Sequence, residues 1–346
     1  MSDGGCVIIC LKIIKGWGSE IMKRKTVEYG KYGYIFIAPF FLVFLLFQLY
    51  PLIYTFYLSF VTYKMTDGKW NTPKFCGFDN YMAMLTKTDF KTGATVWFNT
   101  LPMNSIKNTI IIWIINFIPQ ILLALLLAAW FTDTVVKLKG QGAFKVLMFM
   151  PNIITASSIA VLFYNLFSNQ GPVTMLLKNM GLIAKNSNFF MESKGATITI
   201  IGFMQFWMWY GNTMIVLIAG ILGISPSLYE AAMVDGANGN QQFFSITLPL
   251  LKPILQFTLV TSAIGGLQMY DIPSLFNVTN TGIGQPDRVS HTVTMQIREF
   301  ANSSNPDYGK AAAISGILFI VTLIISMLFF TLTKDREPKQ KHAVIR

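Results

Sequence analysis

The segment SPSLYEAAMVDGANGNQQFFSITLPLLKP, residues 225–253, decides how the chain is read, because it is short and partly polar among long apolar runs. Ser225-Pro226 offers a side-chain cap followed by proline at the first helical position. Ser227 and Glu230 offer a competing start in the Ser-x-x-Glu capping-box spacing. Ala231, Ala232, Gly236 and Ala237 leave little side-chain bulk, so another protein surface can approach this backbone closely. Gly236 and Gly239 accept the positive backbone angles that end a helix, and Pro249 and Pro253 predict a break before the next apolar run. The segment predicts a helix–turn–helix knuckle between two hydrophobic stretches.

Those stretches dominate the composition. Of 346 residues, 53% are hydrophobic and 12% charged, about half the charge of an ordinary soluble domain. Such a chain would expose apolar surface that water does not tolerate, which predicts a membrane protein. The formal net charge of +11 is accounted for by loops and tails rich in Lys and Arg on the cytoplasmic side, without invoking nucleic acid. Cys6, Cys10 and Cys76 have no metal-ligand spacing and force no disulfide. The CVIICLKII run has no positive charge before it and makes a poor signal peptide. Met22 offers an alternative start, with residues 1–21 as an upstream extension.

Six charge-poor windows are long enough to cross a bilayer, which takes about 20 apolar residues. They lie between Lys31 and Lys64, Lys107 and Asp133, Lys145 and Lys178, Lys194 and Glu230, Lys252 and Asp271, and Lys310 and Lys334. Pro39, Pro51, Pro119 and Pro151 fall inside or near them and predict kinks. Short-loop charge places both ends in the cytoplasm, with Lys23, Arg24, Lys25 and Lys31 before the first span and Lys137, Lys139 and Lys145 after the second. The 225–253 knuckle then also faces the cytoplasm. Three outer segments, 64–105, 169–195 and 277–309, read as ordered aqueous loops. The resulting organisation is a cytoplasmic segment 1–31, a six-helix membrane domain 32–334, and a cytoplasmic tail 335–346.

Chemistry of its own is not indicated. No Gly-x-x-x-x-Gly-Lys-Ser/Thr phosphate loop occurs, so the chain is not expected to hydrolyse ATP. Two histidines, His291 and His342, do not assemble a metal or nucleophile site. Paired intramembrane carboxylates, the usual proton relay of ion-coupled carriers, are missing, with Asp271 alone coming close.

At the knuckle, Glu230-Ala231-Ala232, three residues, Gly236, nine residues, Ile246, one residue, Leu248-Pro249 resembles the EAA loop of ABC importer permeases. The fuller EAAMVDGA, with Phe243 and Pro253, is similar to the carbohydrate branch and to its larger MalF-like subunits. PLIYTFYLSF (51–60), GFDNY (77–81), Asn108-Thr109 and YGKAAAISGIL (308–318) extend the resemblance over roughly 30–335. VTNTGIGQP (278–286) departs from the family's Leu-Thr-x-Gly-Gly-Pro outer segment. The resemblance implies an all-α fold of the type I importer kind, six transmembrane helices with a cytoplasmic coupling helix, in a bacterial cytoplasmic membrane. It implies a second permease subunit as heterodimer partner, two ATPase subunits that bind ATP and Mg, and an external binding protein that delivers the sugar. By analogy Glu230 pairs with a basic group of an ATPase cleft, Gly236 permits the sharp turn, and Asp235 either joins that interface or serves the turn. The plainer reading of Glu230 is a cap on its own helix through Ser227, worth about 1 kcal/mol.

Candidate sugar contacts follow from residue type, since sugars need aromatic faces and side chains that exchange hydrogen bonds with hydroxyls. The fourth span carries Gln205, Trp209, Tyr210 and Asn212 in an otherwise apolar run, and the fifth ends in GGLQMYDIPSLFN with Gln268, Tyr270, Asp271 and Asn277. Gly265-Gly266 predicts a bend there and Pro273 a helix end. Asn152, Ser157 and Asn165 in the third span are further candidates. Helix-to-helix hydrogen bonds and an interfacial aromatic belt are the structural alternatives. No arginine is expected near the fifth-span cluster, which disfavours a phosphorylated substrate. An autonomous secondary carrier or channel is the competing function, and a scaffold without transport a third.

Overall fold

A computed structural model describes residues 30–88, 95–133, 139–185, 189–276, 283–284 and 286–334. The chain divides into a unit ending at Tyr54 and another beginning at Thr55. The first contains α1 (Gly30–Phe44), a five-residue π turn (Leu45–Leu49) and the start of α2 (Tyr50–Ser59). The π turn lies just before Pro51. Proline has no N–H to give, and its ring crowds the carbonyl four residues back. Widening the turn, with the Tyr50 N–H donating to the Leu45 carbonyl, accommodates it without breaking the helix.

The second unit begins with a departure from all-helical character. Segment 64–105, expected as an ordered loop, carries short antiparallel ribbons that begin just before it: β1 (Val61–Thr62) with β4 (Lys74–Phe75), β2 (Met65–Thr66) with β3 (Lys69–Trp70), and β5 (Thr86–Thr88) with β6 (Thr95–Trp97). Asp67-Gly68, with φ of 51° and 74°, closes the second ribbon as the Asp-Gly hairpin turn whose twist matches its strands. Helix α3 (Asp79–Leu85) sits among them, and Asn80 donates to the carbonyls of Ser59 and Val61 at 3.0 Å each.

The long helices follow. Helix α4 (Leu101–Thr132) starts six residues before Lys107, because Thr100 accepts from the Met103 N–H and Pro102 sits in the first turn. Helix α5 (Gln141–Phe149) leads through a 3-10 turn (Met150–Ile153) to α6 (Ala156–Phe167), α7 (Pro172–Asn179) and α8 (Phe189–Glu192). The kink expected at Pro151 is instead a break just after it: Pro151 sits in the 3-10 turn that ends the first piece, and the pieces Gln141–Ile153 and Ala156–Asn179 meet at 90° across Ile154-Thr155. Thr155 accepts from the Ser158 N–H and restarts the helix. Helix α9 (Lys194–Leu222) is followed by α10 (Pro226–Val234) and α11 (Gly239–Gln242). A second π turn (Phe243–Thr247), α12 (Leu248–Leu267), α13 (Asp271–Leu275), α14 (Val293–Asn302) and α15 (Tyr308–Thr333) complete the order. Among the described residues, five stretches are long and apolar enough to cross a membrane, and six if the bent pair is counted as one.

Helices α4 and α9 form the spine. Ile112, Ile201, Met204 and Ile159 are fully buried along their seam with α6. A Cβ on Gly202 would lie 2.5 Å from Ile115 Cγ2, so only glycine lets the two helices come this close. The Gln120 amide of α4 donates to Thr213 Oγ1 of α9 at 2.7 Å and to Ser262 Oγ of α12 at 3.3 Å, binding three helices at one point.

Candidate functional site

The knuckle is built from its ends inward. Helix α10 begins at Pro226, and the Ser225 and Ser227 hydroxyls bond each other at 2.8 Å instead of capping the backbone. Ser227 is therefore inside the helix, the capping box with Glu230 does not form, and Glu230 is not a cap. At the other end Gly236 takes a φ of 79°, its N–H donates to the Met233 carbonyl at 3.1 Å, and the Ala237 N–H reaches back to the Ala232 carbonyl at 2.9 Å. This paired closure is the Schellman motif, which requires a left-handed residue at that place. Gly239, in contrast, has no positive φ and is the first residue of α11. Asn238 caps α11, and Gln241 returns the bond to the Asn238 N–H at 2.8 Å.

The expected break at Pro249 is absent. The chain continues helically from Gly239 to Leu267, with the second π turn again placed just before the proline and the Leu248 N–H donating to the Phe243 carbonyl. Pro253 likewise lies inside α12. The knuckle is thereby stiffly joined to the long helix that follows it. Two bonds fix its angle: the Tyr229 and Thr247 hydroxyls meet at 2.9 Å, and the Gln242 amide donates to the Ala237 carbonyl at 3.1 Å. Neither Tyr229 nor Gln242 stands out from the sequence alone.

Helix α10 contacts its own chain along one edge, where Tyr229 and Ala232 are half-buried. Glu230, Ala231, Asp235 and Gly236 are exposed, and Val234 is 88% exposed. Glu230 and Asp235 side chains form no hydrogen bond or ion pair among the described residues. Ala232, Asp235, Gly236 and Ile246 line a cavity of about 330 Å3 in the angle between α10 and the π turn. Leu248 and Pro249 are half-buried behind it.

The candidate sugar contacts fall on two separate elements. On α9, Gln205 is buried at 7% exposure while Trp209 and Asn212 face outward, and neither amide makes a hydrogen bond among the described residues. Tyr210 is buried and donates to Met148 Sδ at 3.3 Å, a packing role. At the α12–α13 corner, Gln268 and Asp271 are exposed and Tyr270 is half-buried. Asn277 lies outside the described residues, as does most of 278–286. The helix continues through Gly265-Gly266 and ends at Leu267. A Cβ on Gly266 would lie 2.4 Å from Trp113 Cδ1, so close packing accounts for that glycine. Pro273 is inside α13 and ends nothing. In the third span, the Asn152 amide donates to the Met208 carbonyl at 3.2 Å, Ser157 bonds Thr155 at 3.2 Å, and Asn165 is exposed.

One expectation is overturned here. Arg298 of α14 places its guanidinium 4.7 Å above the Tyr270 ring, so an arginine does stand at the fifth-span cluster. Sequence distance hid it, because 28 residues separate two side chains that the α12–α14 fold brings face to face. Gln120 was missed too, although an amide in an apolar span is the same signal that singled out Gln205.

Beyond α13, the segment leading into α14 is tied to α4. The Asn108 amide donates to the Arg288 carbonyl at 2.9 Å, and Thr109 accepts from the Val293 N–H at 2.9 Å. His291, 2% exposed, has Nδ1 3.1 Å from the Ile283 carbonyl, which only accepts, so Nδ1 carries the proton. Its Nε2 is 3.3 Å from Glu299 Oε2 without hydrogen-bond alignment. Burial pushes the imidazole below its ordinary value, outweighing the attraction of Glu299. Burial raises Glu299, but two hydrogen bonds from Arg288 at 2.9 and 3.0 Å hold it below the usual range.

Fold and site together define a multi-pass membrane permease that presents an uncovered helix at one end of its bundle. The chain belongs to the family of binding-protein-dependent transport system inner membrane components, whose model matches residues 108–336. It is 29% identical over 309 residues to the lactose transport system permease protein LacF of Rhizobium radiobacter, covering 89% of this chain and 96% of that one. It is 27% identical to the trehalose/maltose transport system permease protein MalF of Thermococcus litoralis, covering 92% and 99%. It shares its fold, at a TM-score of 0.65 and 22% identity over 89% of this chain and 97% of the other, with a crystal structure of a bacterial ABC transporter involved in the import of the acidic polysaccharide alginate.

Proposed function

We propose that this chain is one of two different transmembrane subunits of an ATP-driven carbohydrate importer. The observation that carries the reading is α10, an exposed helix whose Glu230 has no partner among the described residues and whose Val234 is uncovered, rigidly joined to a spanning helix. Apolar surface and a lone carboxylate at one place mark a protein interface. The partner there is an ATPase subunit, because the chain has no phosphate loop to supply energy itself. Two such subunits bind ATP and Mg; when they close, α10 moves with them and α12 turns with α10, switching the bundle between inward- and outward-facing states. The knuckle and both termini are cytoplasmic.

Trp209 and Asn212 support a second permease. An exposed amide in the middle of a span is costly against acyl chains, and that face of α9 is accommodated by a path shared with another subunit. Gln205, Gln268, Tyr270, Asp271 and Asn277 are assigned to the same path, fed by an external binding protein. Relatives named for lactose, for trehalose and maltose, and for arabinooligosaccharides point to a carbohydrate. Reconstituting the complex with its binding protein and measuring ATPase turnover against a sugar panel tests this. Stimulation by at least one sugar is expected; turnover indifferent to every sugar, or no ATPase copurifying, refutes it.

A further inference from the structure

The end of the bundle away from the knuckle holds a second cavity, of about 330 Å3, between the first turns of α4 and α9 and residues 287–291. Small-ligand sites begin at roughly this volume, 300–1,000 Å3. Its rim is polar and cationic: Asn104, Lys107 and Asn108 come from α4 and Lys194 from α9. Lys194 is engaged by Asp287 at 3.1 Å. Lys107 is exposed and has no hydrogen-bond or ion-pair partner among the described residues. Both helices also direct the positive ends of their dipoles here. Its floor is apolar, made by Ile111 and Ile198, each one helical turn deeper than the lysine of the same helix.

That gradient continues. Below Lys107 and Ile111, α4 exposes Ile114, Ile118 and Leu122 along the same face, at 43%, 52% and 63%. Lys107 is the last charge before a charge-free run to Thr132, and Lys194 the last before Glu230. Both therefore stand at the depth where a bilayer's headgroups meet its acyl chains. A soluble anion would use the rim and leave the stripe uncovered. An acidic protein loop would not reach down an apolar stripe inside the hydrocarbon.

We infer that this cavity binds the phosphate of an anionic phospholipid in the leaflet opposite the knuckle, with an acyl chain lying along Ile111, Ile114 and Ile118. The site depends only on the chain spanning a bilayer, not on what it transports. Lys107 is its main determinant, since Lys194 already has an anion.

Native mass spectrometry of the full chain, extracted from vesicles of equal phosphatidylglycerol and phosphatidylcholine, tests it. The wild type should retain phosphatidylglycerol preferentially. Lys107→Gln should lower that preference about fivefold, the worth of one lysine at an anionic surface, while Lys107→Arg restores it. Because Lys107 is exposed and unpartnered, the unfolding midpoint of Lys107→Gln should match wild type. Lys139→Gln, at the other end of the bundle, should leave retention unchanged. Equal retention of the two lipids, an equal loss in Lys139→Gln, or displacement by inorganic phosphate would overturn the proposal. So would a photo-crosslinker at Ile111 that captures protein in place of lipid.

Discussion

Glu230 is a carboxylate with no partner among the described residues, and that sets its test apart from an ordinary stability mutation. Glu230→Gln should leave the subunit's unfolding unchanged, since exposed sites without partners tolerate substitution. Retention of the ATPase on purification should fall about tenfold or more, as when one member of an interfacial ion pair is neutralised. Normal retention and sugar-stimulated turnover in this variant would return Glu230 to the solvated surface. Gly236→Ala acts differently: a Cβ at φ 79° meets no neighbour but costs about 1–2 kcal/mol in a left-handed conformation. It should misdirect the knuckle even where ATPase contacts survive, which a crosslink between positions 229 and 247 would report. Gly266→Ala is a packing test in the core, with Trp113 in the way, and should lower stability by about 1–3 kcal/mol in a denaturant titration.

Among the described residues, Gln120 is a polar contact that joins three helices at one point. Gln120→Leu should cost about 1 kcal/mol in a detergent unfolding titration, typical of interhelical hydrogen bonds in membranes. The loss stays small because Thr213 also bonds the Trp209 carbonyl at 3.2 Å and so keeps a partner. A loss several times larger would mean that the clasp sets helix packing and does not merely join it. At this scale the sequence spoke clearly about which stretches span and less clearly about how they are interrupted. Hydropathy sees a charge-free run and so found the six windows. It does not see that Pro51 and Pro249 are absorbed by π turns, while Pro151 enters a 3-10 turn after which the helix breaks by 90° at Ile154-Thr155. What separates them is the local turn: a restart cap at Thr155 in one case, a widened helical turn in the others. The knuckle was legible because Ser-Pro, Gly236 and the alanines each carry a local conformational meaning. The α12–α13 corner was not, because Arg298 arrives there from another helix.

The unit that begins at Thr55 has two unlike ends. At the knuckle the surface is uncovered and joined to α12; at the other end Asn108, Thr109, Thr292 and Met269 link α4, α12 and α14 through the 288–293 segment. That second end carries a titratable centre, and its sign can be worked out. His291 is held neutral below its ordinary value of 6.5, so the unfolded chain takes up its proton first as pH falls. Stability from His291 is complete above about 6.5 and declines as acid is added, until the folded ring also protonates. Glu299 is held ionised below its ordinary value of 4.5, so its contribution is complete above that value and is lost further down. The two act in the same direction in successive windows. Hydrogen exchange of the 288–302 amides should therefore lose protection from about pH 7 to 5 once corrected for intrinsic rates, while the buried α4–α9 seam keeps its own. His291→Asn retains a donor for the Ile283 carbonyl and removes the titration, so it should flatten the upper window and leave the lower. Protection that rises on acidification would mean that the charged imidazole pairs with Glu299, and that this attraction outweighs the cost of burying it.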